Sequence, residues 1–229
     1  MKLSIIIPCY NEQSTIKEIV QKINLQKNIN KEIIIIDDNS SDRTREILEN
    51  EVRNEVSKII FNDKNYGKGY SIRKGVENAS GDCILIQDAD LEYDPNDYKK
   101  LLNPIINGNA DVVYGSRFIG NDERRVLYFW HSIGNKFLTL LSNMFSNLNL
   151  TDMEVGYKLF KTDVLKNIDL KENRFGFEPE ITAKISKKNI KIYEVSISYF
   201  GRKYAEGKKI TWKDGLSALR CIFKYNFFD

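Results

Sequence analysis

The stretch Cys83-Ile84-Leu85-Ile86-Gln87-Asp88-Ala89-Asp90 is a short apolar run that ends in two carboxylates one residue apart. Such a run predicts a strand buried on both faces, with the carboxylates at its carboxyl end. Two like charges there are unfavourable unless a cation lies between them. Because alternate residues of an extended segment point the same way, we expect Asp88 and Asp90 to face one hard cation, Mg²⁺ or Mn²⁺. A cation held by two carboxylates keeps open positions that suit the phosphates of a nucleotide.

Similar apolar runs recur through the first half of the chain, with helical patterns between them. Strands are predicted at residues 3–7, 32–36, 59–61, 83–86 and 112–114, and helices at residues 15–23, 43–52, 68–78 and 95–106. This alternation predicts an α/β fold with a doubly wound, mostly parallel sheet and right-handed crossovers. Ligands of such sheets bind beyond the carboxyl ends of the strands, where the polar clusters 8–12, 37–42 and 88–90 fall.

The second half of the chain has a different pattern. A long helix is predicted at residues 126–148, followed by a strand at 157–160, a helix near 180–187, a strand near 190–198, a basic loop at 201–209 and a helix at 214–225. Leu127, Phe129 and Trp130 broaden the apolar face of the long helix. That breadth indicates a helix packed in the core, which we expect, or one lying in a membrane interface. No linker interrupts the chain, so one domain is expected over residues 1–229.

Composition excludes several classes of protein. A net charge of +3 is too balanced to favour a nucleic-acid partner, and the single histidine, His131, argues against a histidine metal site or a serine–histidine triad. Cys9, Cys83 and Cys221 are far apart and are interpreted as reduced thiols of a cytosolic protein. There is no secretory signal, and no stretch approaches the roughly 20 apolar residues of a spanning helix. We therefore expect a cytoplasmic protein, with a peripheral position on the inner face of the membrane left open.

Three further positions offer groups suited to a nucleotide or a phosphate. Asp38 follows the second predicted strand, where an acid can accept hydrogen bonds from a base or ribose, although a turn or helix cap explains it equally well. Lys68 lies at a predicted helix N-terminus, which favours phosphate, although an ordinary turn is an equal alternative. Arg117, Arg124 and Arg125 suit bidentate phosphate binding, against the alternative of solvated surface charge.

Five motifs stand in order along the chain: Pro8-Cys9-Tyr10-Asn11-Glu12, Asp37-Asp38-Asn39-Ser40-Ser41-Asp42, Asn65-Tyr66-Gly67-Lys68-Gly69, Asp88-Ala89-Asp90-Leu91 and Gly115-Ser116-Arg117. Together they resemble the family-2 glycosyltransferases with the GT-A fold, close to the dolichyl- or polyprenyl-phosphate mannosyl- and glucosyltransferases. The resemblance covers nearly the whole chain, including residues 151–154 and 199–214. Many relatives continue into membrane-spanning helices, whereas this sequence stops at Asp229, which weakens the expectation of a membrane-embedded acceptor.

The resemblance implies an inverting transfer from a nucleotide sugar of the UDP-glucose or GDP-mannose type. The implied donor-binding residues are Pro8, Tyr10, Glu12, Asp38, Lys68, Gln87, Asp88 and Ala89. The implied ligands of Mg²⁺ or Mn²⁺ are Asp88, Asp90 and Glu92, the last standing where many relatives have glutamine. The implied catalytic residues are Asp90, Asp152 and Arg117, and those for the acceptor phosphate are Arg117 with Arg124 or Arg125. Residues 1–120 would then form the donor half, and residues 121–229 the acceptor half.

The acceptor predicted from this resemblance is polyprenyl or dolichyl phosphate, which is already anionic and needs no strong general base. A saccharide hydroxyl is the alternative acceptor, and it would need a base within hydrogen-bond reach, for which Asp152 is the candidate. A sugar-nucleotide-binding module without turnover is the third interpretation. The intact Asp88-Ala89-Asp90 motif argues against it, because a binding module has no need to hold a metal against a leaving group.

Overall fold

The structure, a computed structural model, describes residues 1–120, 125, 126, 128–202 and 212–228. Its strands are β1 (Leu3–Cys9), β2 (Lys31–Asp37), β3 (Lys58–Phe61), β4 (Cys83–Ile86), β5 (Val112–Ser116), β6 (Lys158–Lys161) and β7 (Ile192–Ser196). They form one seven-stranded sheet in the order β3-β2-β1-β4-β6-β5-β7. Strands β1 to β4 pair in parallel, as do β5 and β7, whereas β6 runs antiparallel to both of its neighbours. The predicted doubly wound, mostly parallel sheet is confirmed.

Helices cover the sheet and connect its strands. They are α1 (Ile16–Asn24), α2 (Thr44–Ile47), α3 (Lys68–Asn78), α4 (Tyr98–Ile106), α5 (Phe129–Ser146), α6 (Thr162–Lys166), α7 (Phe177–Ser186) and α8 (Trp212–Phe227). The predicted helix at residues 43–52 is α-helical only in α2 and continues as a wider π-helical turn over Leu48–Val52. Both Leu48 and Val52 are buried, so the wider turn keeps the predicted apolar face against the core. Helix α6 was not predicted, because five residues are too few to display a helical period.

The core lies against both faces of the central strands. The isoleucines of β1 and β2 are almost fully buried, as expected for parallel strands with helices on each side. Gly75 of α3 lies directly over Ile6 of β1, and a Cβ at this position would collide with the Ile6 side chain. The glycine therefore lets α3 approach the sheet closely. This packing places the N-terminus of α3 at the carboxyl edge of the sheet, beside the end of β4.

Helix α5 packs against the core through Leu138, Leu141 and Phe145, so the expectation of a core helix holds for one side of α5, while its other apolar side chains are exposed. Phe129 and Trp130 are 66% and 77% exposed, whereas the buried residues of the helix are Thr139 and Ser142. The exposed apolar side chains of α5 are Phe129, Trp130, Ile133, Phe137, Leu140 and Met144. The apolar residues of α5 thus extend around more of the helix than the core covers, and those outside the contact face solvent.

Two other predictions concern cysteines and membrane spans. Cys9, Cys83 and Cys221 are buried free thiols, as the sequence predicted. In the part of the chain that the structure describes, the helices all fall short of the length and apolar character needed to cross a bilayer.

Glu32 connects the amino ends of the central parallel strands. Its carboxylate accepts hydrogen bonds from Lys2 Nζ and Ser4 Oγ beside β1, and from the backbone N–H and Oγ of Ser80 before β4. Burial alone would raise the pKa of Glu32, but these hydrogen bonds outweigh it and lower the pKa to about 2. The ionised carboxylate therefore stabilises the edge of the sheet opposite to the strand ends that carry the polar motifs.

Replacement of Glu32 by glutamine should lower the free energy of unfolding at pH 7 by about 2 kcal/mol, the usual contribution of hydrogen bonds to a charged group. The pKa of Glu32 in the folded protein, about 2, lies below the ordinary glutamate value of 4.5, so the contribution is complete above pH 4.5. It decreases as the pH falls from 4.5 towards 2, and the difference between wild type and E32Q should narrow over that range. Urea unfolding at several pH values measures this difference. An unchanged difference at low pH would contradict the assignment.

Candidate active site

Three loops meet beyond the carboxyl ends of β1, β2 and β4. Each contains a residue with left-handed backbone, namely Asn11 (φ 52°), Asn39 (φ 61°) and Leu91 (φ 63°). Asparagine tolerates this conformation, whereas for leucine it is a strained one. The strain at Leu91 falls directly after Asp90, in the loop that carries the paired acids. Tight turns at these three positions bring the polar motifs to one cleft, as the sequence predicted.

The paired acids lie in a turn and not in extended chain. Strand β4 ends at Ile86, and Ala89 and Asp90 form a turn in which Asp90 Oδ1 accepts a hydrogen bond from the Glu92 N–H (3.1 Å). The strand alternation used to align Asp88 with Asp90 therefore does not apply. The two carboxylates are nevertheless close enough to repel each other. The turn, and not the period of a strand, brings them together.

Lys68 and Arg202 lie against these acids. Lys68 Nζ, at the N-terminus of α3, is 2.8 Å from Asp88 Oδ1 and 3.0 Å from Glu178 Oε1. Arg202 Nη2 is 2.6 Å from Asp90 Oδ2. Burial alone would lower the pKa of Lys68, but the attraction of Asp88 and Glu178 outweighs it and raises that pKa well above its ordinary value. Both side chains are therefore positively charged and held by the acidic cluster.

The acidic cluster fits a hard divalent cation. Burial raises the pKa of Asp90 above its ordinary range, and repulsion from Asp88 and Glu92 adds to this effect. A carboxyl group with a raised pKa indicates that additional positive charge at this position would be stabilising. Carboxylate oxygens are ligands that Mg²⁺ and Mn²⁺ prefer. Among the described residues, no three histidine, cysteine or acidic side chains form a ready-made metal site. Asp88 and Asp90 would therefore share the metal with ligands from a bound molecule.

Glu92, the predicted third ligand of the metal, has both carboxylate oxygens in hydrogen bonds to another segment of the chain. Its Oε2 accepts a hydrogen bond from Tyr199 Oη (3.0 Å), and its Oε1 accepts one from the Arg202 N–H (2.8 Å). Both oxygens thus hold the segment that follows β7. This arrangement argues against the predicted metal-binding role of Glu92, because a metal would have to compete with these hydrogen bonds.

Asp38 holds a neighbouring loop. Its Oδ1 accepts hydrogen bonds from Asn62 Nδ2 (2.8 Å) and the Tyr66 N–H (3.0 Å), and its Oδ2 accepts one from the Gly67 N–H (2.6 Å). Asp38 is also almost fully buried. It positions the loop that ends at Lys68, which is a more indirect role than the predicted contact with a base or ribose.

Gln87 and Ala89 are buried beneath the turn. The Gln87 side chain is fully buried, where its Oε1 accepts hydrogen bonds from the hydroxyls of Tyr98 and Tyr157 and its Nε2 donates one to the Asp88 carbonyl. Ala89 is 4% exposed. These positions argue against the predicted donor contacts of both side chains, because neither faces the cleft. Pro8 at the end of β1 is half-buried and Tyr10 is exposed, so these two can still meet a ligand.

Arg117 and Asp152 form a bidentate ion pair. Arg117 Nε and Nη2 lie 2.6 Å and 2.7 Å from the two carboxylate oxygens of Asp152. Asn135 Nδ2 also donates to Asp152 Oδ1 (3.0 Å), and Asp152 is fully buried. Both oxygens are already engaged by Arg117 and Asn135, which argues against the predicted role of Asp152 as a general base, because an acceptor hydroxyl would have to displace one of these hydrogen bonds. It positions the Arg117 guanidinium instead.

The two remaining arginines differ in what the structure says of them. Arg125 is exposed, and its guanidinium donates to the Gly201 carbonyl (3.1 Å), so it lies next to the segment that carries Arg202. Arg124 lies outside the described residues.

Sequence reasoning did not assign the roles of Arg202, Glu178 and Glu154. Arg202 lies in the basic loop predicted at residues 201–209, for which the sequence indicates no partner. Glu154 Oε1 and Glu178 Oε2 are buried without a hydrogen-bond partner among the described residues. Burial, with repulsion from Glu178, raises the pKa of Glu154 above its ordinary value. Only the cluster of basic residues after the last strand could have indicated Arg202.

Comparison with known proteins supports the resemblance seen in the motifs. The profile described as "Glycosyl transferase family 2" matches residues 4–169. The dolichol-phosphate mannosyltransferase of Pyrococcus furiosus is 29% identical over 227 residues, which is 98% of this chain and 63% of that protein. A dolichyl-phosphate beta-glucosyltransferase of Trichomonas vaginalis is 28% identical over 216 residues, which is 86% of this chain and 65% of that protein. The chain thus spans less than two thirds of the length of these relatives.

Solved structures confirm the fold. Glucosyl-3-phosphoglycerate synthase from Mycobacterium tuberculosis, crystallised with Mn²⁺, UDP and phosphoglyceric acid, superimposes with a TM-score of 0.78 at 16% identity, over 100% of this chain and 79% of that one. Mannosyl-3-phosphoglycerate synthase from Rubrobacter xylanophilus gives a TM-score of 0.72 at 16% identity, over 97% of this chain and 73% of that one. At this level of identity the likeness concerns the GT-A fold alone.

Replacement of Gly156 by alanine should lower the free energy of unfolding by about 1–3 kcal/mol, the usual cost of overpacking. A Cβ at this position would collide with Asp88 Oδ2 and lie 2.9 Å from the Tyr93 ring. Gly134 in α5 is a matched control, because a Cβ there meets nothing within 4 Å and alanine is the better helix former. Urea unfolding should show destabilisation in G156A and none in G134A. Equal stability of the two variants would contradict the packing described for Asp88.

Proposed function

Because the chain belongs to glycosyl transferase family 2, we propose that it is an inverting, metal-dependent hexosyltransferase that uses a UDP- or GDP-linked sugar and transfers the hexose to polyprenyl or dolichyl phosphate. The observation that carries this proposal is the acidic turn beyond β4. There Asp88 and Asp90 concentrate negative charge where a cation and a diphosphate can meet. The donor half is residues 1–120 and the acceptor half residues 121–229.

On the donor side, Asp88 and Asp90 would hold Mg²⁺ or Mn²⁺. When bound, the metal supplies Lewis-acid stabilisation of the charge on the leaving nucleoside diphosphate. The groups proposed to meet the base and ribose are Pro8, near the end of β1, and Tyr10 and Glu12, in the loop that follows. Lys68 adds a positive charge beside Asp88, where it can also stabilise phosphate oxygens.

The state of Asp152 favours a phosphate acceptor over a saccharide hydroxyl. Its two oxygens accept hydrogen bonds from Arg117 and Asn135, so Asp152 is poorly placed to contact an acceptor hydroxyl as its general base. A phosphate monoester needs no such base, because it is already an anion at neutral pH. Arg117, with Arg125 or Arg124, is the proposed site for the acceptor phosphate. Glu154, with its unpartnered buried oxygen, is the observation that favours the second candidate, a saccharide acceptor.

An exposed apolar face supports an acceptor that is lipid-linked. The face joins α5 to α8, which pack together through contacts of Phe145 with Phe223 and Phe227. Its members on α8 are Trp212, Leu216, Phe223 and Phe227, and the exposed Phe228 follows directly after the helix. An apolar face of this breadth, with aromatic residues on both helices, is typical of helices that lie in a membrane interface. We propose a cytoplasmic protein that contacts the inner face of the membrane through this α5–α8 face.

Replacement of Phe129 and Trp130 by serine should weaken binding to phosphatidylcholine–phosphatidylglycerol vesicles by at least about 100-fold, since each aromatic group withdrawn from water contributes about 1.5–3 kcal/mol. Leu25→Ser is the control, because Leu25 is 70% exposed at the end of α1, outside the α5–α8 face. Vesicle flotation measures the bound fraction. If the double variant and the control bind as well as wild type, the membrane contact is not at this face.

Transfer of radiolabelled hexose from UDP-glucose and GDP-mannose to undecaprenyl phosphate tests the activity directly. We expect transfer that requires Mg²⁺ or Mn²⁺ and that falls at least about 100-fold in Asp88→Asn and Asp90→Asn, since even residues that only support metal ligands contribute 10–100-fold. Lys161→Gln, remote from the turn in its pair with Asp111, is the control for loss of one surface charge. Transfer to a saccharide but to no lipid phosphate would favour the second candidate, and nucleotide binding without any transfer would favour a binding module.

A further inference from the structure

The Arg202 guanidinium contacts acidic residues from two loops at the carboxyl edge of the sheet. Its Nη2 is 2.6 Å from Asp90 Oδ2, its Nη1 is 3.4 Å from Glu12 Oε2, and its Nε is 3.5 Å from Glu92 Oε1. Glu12 follows β1, whereas Asp90 and Glu92 follow β4. One guanidinium therefore bridges the loop after β1 and the loop after β4.

We propose that the guanidinium of Arg202 is a resident cation of the donor site: it pairs with Asp90 in the absence of a metal. A divalent metal that binds together with a nucleoside diphosphate then displaces the guanidinium from Asp90. This inference rests on the proposed function, because it takes Asp90 as a metal ligand. The guanidinium contacts the Asp90 carboxylate that would hold the metal, so the two would compete for it. Lys68 holds Asp88 in a comparable way, and each of the two paired acids thus has a cationic partner from the chain itself.

Burial makes the competition significant. The side chains of Arg202, Asp90 and Glu92 are 17%, 15% and 14% exposed, so the pair is screened less by water than a surface ion pair. A metal that binds alone must break this contact and leave a partly buried guanidinium with fewer partners. A metal that arrives with a diphosphate brings anionic oxygens that can take those places. Metal and nucleotide should therefore bind cooperatively.

The chain from Tyr199 to Arg202 is held in place by hydrogen bonds that do not involve the guanidinium. The Arg202 N–H donates to Glu92 Oε1 (2.8 Å), the Phe200 N–H donates to the Glu92 carbonyl (2.9 Å), and Tyr199 Oη donates to Glu92 Oε2 (3.0 Å). Tyr199 also forms a β-bridge with Tyr93. The Arg202 side chain can thus leave Asp90 while its backbone stays in place. Glu92 acts as the anchor of this segment.

Titration of the full chain with Mn²⁺, followed by the electron paramagnetic resonance signal of the free ion, tests the proposal without nucleotide. Arg202→Gln should bind Mn²⁺ about 10-fold more tightly than wild type, because it removes the competing charge. Addition of UDP or GDP should tighten Mn²⁺ binding strongly in wild type and much less in R202Q. Arg220→Gln, which loses one positive charge from the pair with Glu172, should behave as wild type. Thermal unfolding confirms that each variant is folded.

The outcomes separate this inference from the proposed function. If Mn²⁺ binds wild type in the presence of UDP or GDP, but R202Q without nucleotide binds it no more tightly than wild type, the resident-cation role is overturned while the metal site stands. If neither nucleotide promotes Mn²⁺ binding to wild type, and Asp90→Asn changes nothing, both are overturned. Arg202→Lys is the second variant. Lysine keeps the positive charge but lacks the planar guanidinium. The R202K variant should therefore bind Mn²⁺ less tightly than R202Q, and equal binding would count against the proposal.

Discussion

The negative charge gathered beyond β4 is the constraint on which the site and much of its surroundings depend. Asp88 and Asp90 lie in a partly buried turn, where carboxylates are unfavourable without positive partners. Lys68 comes from the start of α3 and Arg202 from the segment after β7, so the same requirement ties distant parts of the chain to one point. Glu178, in the first turn of α7, is a second acidic partner of Lys68 and so connects the N-terminus of this helix to the same network.

Several polar residues near this turn serve the scaffold. Asp38 holds the loop before Lys68 through the N–H groups of Tyr66 and Gly67. Gln87 supports the turn from below through buried tyrosine hydroxyls. In a linear sequence such residues have the same signature as ligand-binding ones, since both are polar groups at strand ends. Burial and hydrogen-bond partners distinguish them, and these depend on residues far away in the chain.

Helix α5 shows the corresponding limit for apolar patterns. A stripe of apolar residues at helical spacing indicates that one face of the helix leaves water, but it does not indicate what that face contacts. Here Leu138 and Leu141 pack against the core beside the buried Thr139, whereas most of the apolar stripe of α5 is exposed, as are several apolar residues of α8.

The sequence by itself determined the α/β class, the positions of the strands and the meeting of polar motifs at their carboxyl ends, because these follow from local periodicity and from the geometry of parallel sheets. Only the tertiary structure decided that β6 enters antiparallel between β4 and β5, that many apolar side chains of α5 stay exposed and that Arg202 contacts Asp90. The last contact joins residues 112 positions apart. No local pattern encodes such a pairing, since it depends on how the loops after β4 and β7 are packed against each other.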